Sequence, residues 1–143
     1  MGHQYGRSRA ATLNDAGEFA AAVQAATEEL GREADNSEHY WDRATALAAL
    51  ERHDEAVADF ERAKEVDAQT SVLDDDMLDD AYFSALLGAA RATAAGGDVA
   101  AGCTRLDRYR ALFPAGRHVD DARDWQKRLR GELKSHFVKE RLQ

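Results

Sequence analysis

Five histidines, one cysteine and a dense run of aspartates are the residues in this chain whose types could do chemistry. His3, His39, His53, His118 and His136 are scattered; no two stand at i, i+4, and no H-E-x-x-H occurs, so the zinc-binding face of a helix is missing. His118-x-Asp120-Asp121 offers three donors for a cation, but both carboxylates fall in the first turn of an expected helix, where they offset its dipole. That structural role is the preferred reading. His53 is expected in an exposed turn. No serine stands in a Gly-x-Ser-x-Gly context, and Gly96-Gly97 runs into Asp98 with no lysine to cradle phosphate. Cys103 is alone, which excludes a disulfide within the chain and a cysteine-zinc cluster; among small residues it is expected to be a buried, inert thiol. No catalytic residue, no cofactor site and no metal site is therefore expected. Asp74, Asp75, Asp76, Asp79 and Asp80 form the strongest local charge feature. They fail as a calcium loop, because the D-x-D-x-D-G spacing and the twelfth-place glutamate are missing. They succeed as a helix start, with an N-cap and first-turn acids; docking of a basic partner is the alternative.

The elements that would carry these residues are helices. The chain has a single proline, is rich in alanine, and shows no alternating β-branched run of the strand type. Residues 40–67, YWDRATALAALERHDEAVADFERAKEVD, read as two amphipathic helices joined by a polar turn around Arg52-His53-Asp54. Tyr40, Ala44, Leu47 and Leu50 form one stripe, and Ala56, Val57, Phe60, Ala63 and Val66 another. Neither stripe can be buried by its own hairpin. The small residues stand where two helices must approach closely.

Tyr40-x2-Arg43-Ala44-x2-Leu47, followed by Ala56-x3-Phe60, Ala63 and Ala68, resembles the tetratricopeptide repeat, a helical hairpin of 34 residues. It departs from that pattern at Arg43, where an apolar residue is usual, at Glu51, where glycine is common, and at Ala68, where proline is usual. Moving back by one period puts Ala10 under Ala44, Leu13 under Leu47, Ala22 under Ala56 and Ala26 under Phe60, with Gly17 as the turn glycine. Moving forward across residues 71–82, an insertion, puts Ala90 under Ala44, Gly97 at the turn, Gly102 under Ala56, Leu106 under Phe60, Tyr109 under Ala63 and Pro114 at the proline place. The expected organisation is one domain over residues 3–139, with repeats at 3–36, 37–70 and 83–116 and a capping helix over 118–139. Helices are expected near Gln4–Asn14 and Glu18–Glu33, the latter fraying at Gly31, and from about Asp75 to Ala95. Asn36 and Asp98 are expected as N-caps. The segment Phe113-Pro114-x-Gly116-x-His118-x-x-Asp121-Ala122-x-x-Trp125 is similar to a bacterial subtype of these repeats. That subtype occurs in envelope proteins such as the Tol-Pal coordinating factor and a lipoprotein of outer-membrane protein assembly. The last helix carries Val119, Ala122, Trp125, Leu129, Leu133 and Phe137 on one stripe.

The resemblance implies an all-α fold: a right-handed α-solenoid of three helical hairpins closed by the capping helix, which a short stack needs for stability and solubility. It also implies the function, a non-catalytic scaffold that takes a peptide or helix of another protein in its concave groove. The groove-facing places, carried over by alignment, are Arg7, Ala11 and Asn14, then Glu38, Trp41, Thr45 and Ala48, then Ser84, Leu87, Arg91 and Ala94. Because Tyr40 takes the buried aromatic place, Trp41 is expected to point about 100° away, into the groove, flanked by Arg7 and Arg91.

Charge refines this. The net charge is −8, but residues 1–102 hold 8 basic against 21 acidic side chains, and residues 103–143 hold 11 against 6. An acidic body with a basic end (Arg105, Arg108, Arg110, Arg128, Arg130) makes self-association the alternative to an adaptor. Nucleic-acid binding is not expected, given the net negative charge and the lack of aromatics interleaved with the basic residues. No apolar run approaches the ~18 residues of a membrane span, and the start, MGHQYGRSRA, has no apolar segment of the secretory type. A cytoplasmic place is expected, with a periplasmic domain of an anchored or exported protein as the alternative.

Overall fold

The computed structural model describes residues 8–131. Its seven elements are all helices: α1 (Arg9–Asp15), α2 (Phe19–Arg32), α3 (Ser37–Ala49), α4 (His53–Thr70), α5 (Asp75–Ala95), α6 (Val99–Leu112) and α7 (Val119–Leu129). There is no strand among the described residues. Their starts follow local chemistry. The Ser8 hydroxyl accepts from the Ala11 N–H, the Asn36 side chain from Glu38 N–H, Asp74 from Asp76 and Met77 N–H, and Asp98 from Ala101 N–H. Each satisfies donors that a helix N-terminus leaves open.

One turn type recurs in the backbone. At the end of α1 the N–H of Gly17 donates to Asn14 and that of Glu18 to Leu13; at the end of α3, Glu51 donates to Ala48 and Arg52 to Leu47. The same pair closes α5, Gly97 to Ala94 and Asp98 to Thr93. These are Schellman turns, which need a left-handed residue after the helix. Gly17, Glu51 and Gly97 supply it with φ of 78°, 60° and 109°. Helices α2, α4 and α6 then begin at residues 19, 53 and 99. Ala10, Ala44 and Ala90 are all fully buried, as are Ala26, Leu106 and, nearly so, Phe60.

The chain forms two compact units, 1–85 and 86–143, with the boundary inside α5. In the first, α2 packs against both α1 and α3, α3 packs against α4, and α1 also touches α3. The α1–α2 hairpin is filled by alanine: Ala10, Ala25 and Ala26, with Leu13 packed against them. The α3–α4 hairpin is filled by Leu47, Val57 and Phe60. The first part of α5 adds buried Leu78, Tyr82 and Phe83, and the Tyr82 hydroxyl donates to Glu61 at 2.6 Å. In the second unit α6 meets α5 at Gly102, where a Cβ would lie 2.7 Å from the Ala90 carbonyl oxygen, so only glycine permits the approach. Helix α6 also packs against α7. The buried Tyr109 ring stacks on Phe113 and its hydroxyl accepts from the His118 N–H at 2.9 Å. Gly116 leaves room for that hydroxyl. This is the local reason for the Phe-Pro-x-Gly-x-His spacing.

Several expectations are corrected. Helix α1 starts at Arg9 rather than near Gln4, because Ser8 is extended and caps it. The central turn is Leu50-Glu51-Arg52, and His53, half-buried, opens α4. Helix α2 passes through Gly31 to Arg32. Helix α7 ends at Leu129, with Gly131 left-handed at φ 84°; the remainder of the expected capping helix, with Leu133 and Phe137, lies outside the described residues. In α3 the buried set is Ser37, His39, Asp42, Ala44, Ala46 and Leu47. Tyr40 is only half-buried and Leu50 is exposed, so that stripe is rotated from the expected one.

Candidate functional site

Three segments meet at an open cleft in the first unit: the start of α1, the α2–α3 corner with the first turns of α3, and the loop leading from α4 into α5. Its volume is about 840 Å³. Its apolar lining is Ala11, Trp41, Val72, Leu73 and Met77. Val72 and Met77 are more than half exposed, at 56% and 57%, and no other large apolar side chain among the described residues comes near that exposure. The lining is acidic: the exposed Glu33, Glu38 and Asp74 stand there with the buried Asp42, and no lysine, arginine or histidine does among the described residues.

The wall that carries Val72 and Leu73 is held from below. Helix α4 ends at Ser71 in the left-handed conformation, φ 52°. The buried Asp67 carboxylate then accepts from the N–H groups of Val72 and Leu73 at 2.7 and 2.8 Å and from the Ser37 hydroxyl at 3.3 Å. One carboxylate thus ties the loop to both α3 and α4. The opposite side is tied by Asp42, which accepts from the Ser8 hydroxyl at 2.7 Å, and by Asn14, whose amide donates to the Asp42 carbonyl at 3.0 Å. The indole of Trp41 is half-buried, edge-on to Phe60 with centroids 5.4 Å apart. It is therefore a fixed plate: one edge in the core, the rest on the cleft.

Of the residues expected on a groove, Ala11, Glu38 and Trp41 line this cleft. Asn14 works as a strut between α1 and α3, with its Oδ1 buried and without a hydrogen bond. Thr45 donates to its own helix, at Trp41 O. Ala48 and Ala94 are half-buried and Ser84 is exposed. Leu87 is half-buried in the second unit. Arg91 is committed there to Trp125, its guanidinium 4.8 Å from the ring centroid, with Arg128 at 5.0 Å. Arg7 lies outside the described residues. Sequence reasoning missed Val72, Leu73 and Met77. The signal was present, since these apolar residues stand within the acidic run 74–80 or just before it.

Tyr40, the residue that was to fill the core, instead lies between Arg43 and Arg62, whose guanidinium carbons are 5.9 and 5.7 Å from its ring centroid. Arg43, the departure from the repeat pattern, grips Asp59 with two hydrogen bonds of 2.7 and 2.9 Å. The hydrogen bond to Asp59 raises the Arg43 pKa further above its ordinary value, against the cost of burial. The polar pair replaces an apolar contact at the α3–α4 interface.

One set of groups could hold a metal ion among the described residues: Glu29, Glu33 and His39, with donor atoms within 4.8 Å of one another. His39 Nε2 stands 2.9 Å from Glu33 and 3.9 Å from Glu29. Two features favour a plain hydrogen bond. Glu29 is already paired with Arg32, and the buried His39 Nδ1 has no hydrogen-bond partner, whereas a ligating histidine normally donates its second N–H. The set latches α2 to α3. His118 likewise meets Asp121 at 3.0 Å in the first turn of α7. Cys103 is buried beneath Gln126, whose amide donates to the Cys103 carbonyl and to Asp107. In the basic end, Arg105 donates to Thr93 and Arg110 lies 3.6 Å from Asp107. No helix among the described residues is long and apolar enough to cross a membrane.

No family model, curated protein or solved structure matches this chain.

Proposed function

We propose that this protein is a non-catalytic interaction module of tetratricopeptide-like hairpins, stacked as a short right-handed solenoid, that takes a peptide segment of another protein in the cleft between α1, α3 and the 71–74 loop. The turn that recurs at Gly17, Glu51 and Gly97 supports the repeat reading, together with the contact of α1 with α3 across α2. The single observation that carries the binding reading is the exposure of Val72 and Met77 beside the fixed plate of Trp41. Exposed apolar groups gathered around one concavity mark interaction sites, and tryptophan is enriched among binding hot spots. A cleft of this size has room for a few large side chains, which suits anchor residues of a peptide.

Selection from a random peptide-display library tests it. Bound peptides should lose about tenfold or more in affinity on Trp41→Ala. Met77→Ser and Val72→Ser should each weaken binding by a smaller factor, with helix content and melting temperature unchanged because both side chains are exposed. Peptides that bind all three variants as tightly as the parent would sink the cleft reading. Self-association through the basic end remains the second reading from charge alone; its arginines are engaged locally at Arg105, Arg110 and Arg128. Sedimentation at low and high salt tests it.

A further inference from the structure

We infer that the occupant of this cleft is a basic amphipathic segment, in which one or two large apolar side chains are flanked by lysine or arginine. The inference rests on the cleft being a binding site and goes further by fixing the chemistry of the partner.

The lining has two parts of different character. The floor and one wall are apolar, from Trp41, Val72, Leu73 and Met77, while the rim carries Glu33, Glu38 and Asp74. Glu38 and Asp74 are exposed, and Glu33 has 58% of its side chain in solvent. The carboxylates stand on three different segments: the end of α2, the first turn of α3 and the entry to α5. A cation entering between them meets negative charge from more than one side, in a concavity whose apolar wall excludes part of the water and so weakens screening. The other two aromatic plates with guanidinium groups over them, Tyr40 and Trp125, have those cations supplied by the chain itself, from Arg43 and Arg62 and from Arg91 and Arg128. Among the described residues, the cleft that Trp41 lines carries carboxylates and no cation. Lysine or arginine flanking an apolar anchor complements both parts at once: the anchor covers Met77 and Val72, the stem lies along the indole, and the charged head reaches the rim. An acidic or neutral segment would bury the same apolar area but meet repulsion, or no gain, at the rim.

The experiment uses the full chain carrying Trp125→Phe, which leaves Trp41 as the one indole of the two in the sequence. Its fluorescence is titrated with four synthetic peptides: Leu/Phe anchors flanked by Lys/Arg, the same anchors flanked by Gln, the same flanked by Glu, and the Lys/Arg peptide with Ala anchors. The basic anchored peptide should bind roughly tenfold tighter than the Gln version, and that advantage should fall steeply as salt is raised. Glu38→Gln should reduce its affinity by about two- to fivefold and Glu38→Lys by more, with a smaller loss for the Gln-flanked peptide. Equal binding of the Gln- or Glu-flanked peptide would overturn the proposed chemistry and leave the cleft reading standing. Failure of all four to perturb Trp41 would overturn both. A fifth arm uses residues 132–143, GELKSHFVKERLQ without its first glycine, which carries Lys134, Lys139 and Arg141 against Glu132 and Glu140, with Leu133, Phe137, Val138 and Leu142. Tight binding of that peptide, with dimers of the full chain in sedimentation, would replace another protein by a second copy as the occupant.

Discussion

The hairpins α1–α2 and α3–α4 share the same turn, yet they are filled in opposite ways. Where the first has Ala26, the second has Phe60; where the first has Ala25, the second has Asp59 gripping Arg43; where the first turns on Gly17, the second turns on Glu51. The first hairpin is packed mainly by alanine, at Ala10, Ala22, Ala25 and Ala26, with Leu13 against them. The second is held apart by bulky and charged groups, and it seats Trp41 edge-on against Phe60. The register fixes where helices start and stop, while the fill decides which hairpin can present a rigid aromatic surface.

Removing the bulk is the strongest way to break this contrast. Phe60→Ala should cost about 3–5 kcal/mol in chemical denaturation and release the indole, seen as a red-shifted Trp41 emission. Ala26→Phe, at the matching place, should also destabilise, by about 1–3 kcal/mol, because an alanine-filled interface has no space for a ring. A Phe60→Ala protein of parental stability would show that the second hairpin does not depend on its fill.

The polar fill comes next. Asp59→Ala leaves the Arg43 guanidinium with a quarter of its side chain exposed and its bidentate partner gone; the expected loss is about 2–3 kcal/mol in urea denaturation. The double variant Arg43→Met with Asp59→Leu should recover most of that loss, since an apolar pair of similar volume removes the unpaired charge along with its partner. Asp67→Ala should cost about 1–3 kcal/mol by orphaning the Val72 and Leu73 N–H groups, and it should speed hydrogen exchange at those two amides ahead of the rest of α4. No change in exchange there would remove Asp67 as the support of the cleft wall.

The turns give the smallest effect and the clearest sign. Glu51→Gly should stabilise by up to about 1 kcal/mol, because glycine adopts φ near 60° without the steric cost that glutamate bears. Gly17→Ala should destabilise by about 1 kcal/mol for the same reason. Thermal melts of the two variants should move in opposite directions.

Much of the helical pattern was legible in the residues themselves. Asn36, Asp74 and Asp98 announce helix starts, and Gly17 and Gly97 announce ends, because capping and left-handed turns depend on groups only a few residues apart. The all-α class follows from the same local signals. Less legible were the ends lacking a glycine or an obvious stop: Ser8, which caps where a longer helix was expected, and Glu51, a left-handed residue with the wrong side chain for it.

The sequence by itself determined the all-helical class and the main helix starts and turns, since each rests on near-neighbour interactions along the chain. Only the tertiary structure decided that Trp41 rather than Tyr40 meets Phe60, that Arg91 covers Trp125, and that Val72 and Met77 are left bare beside four carboxylates. Those outcomes depend on a rotation of α3 by part of a turn and on a loop pinned by Asp67. Both are set by the packing of segments distant in sequence, to which a periodic pattern of apolar residues is blind.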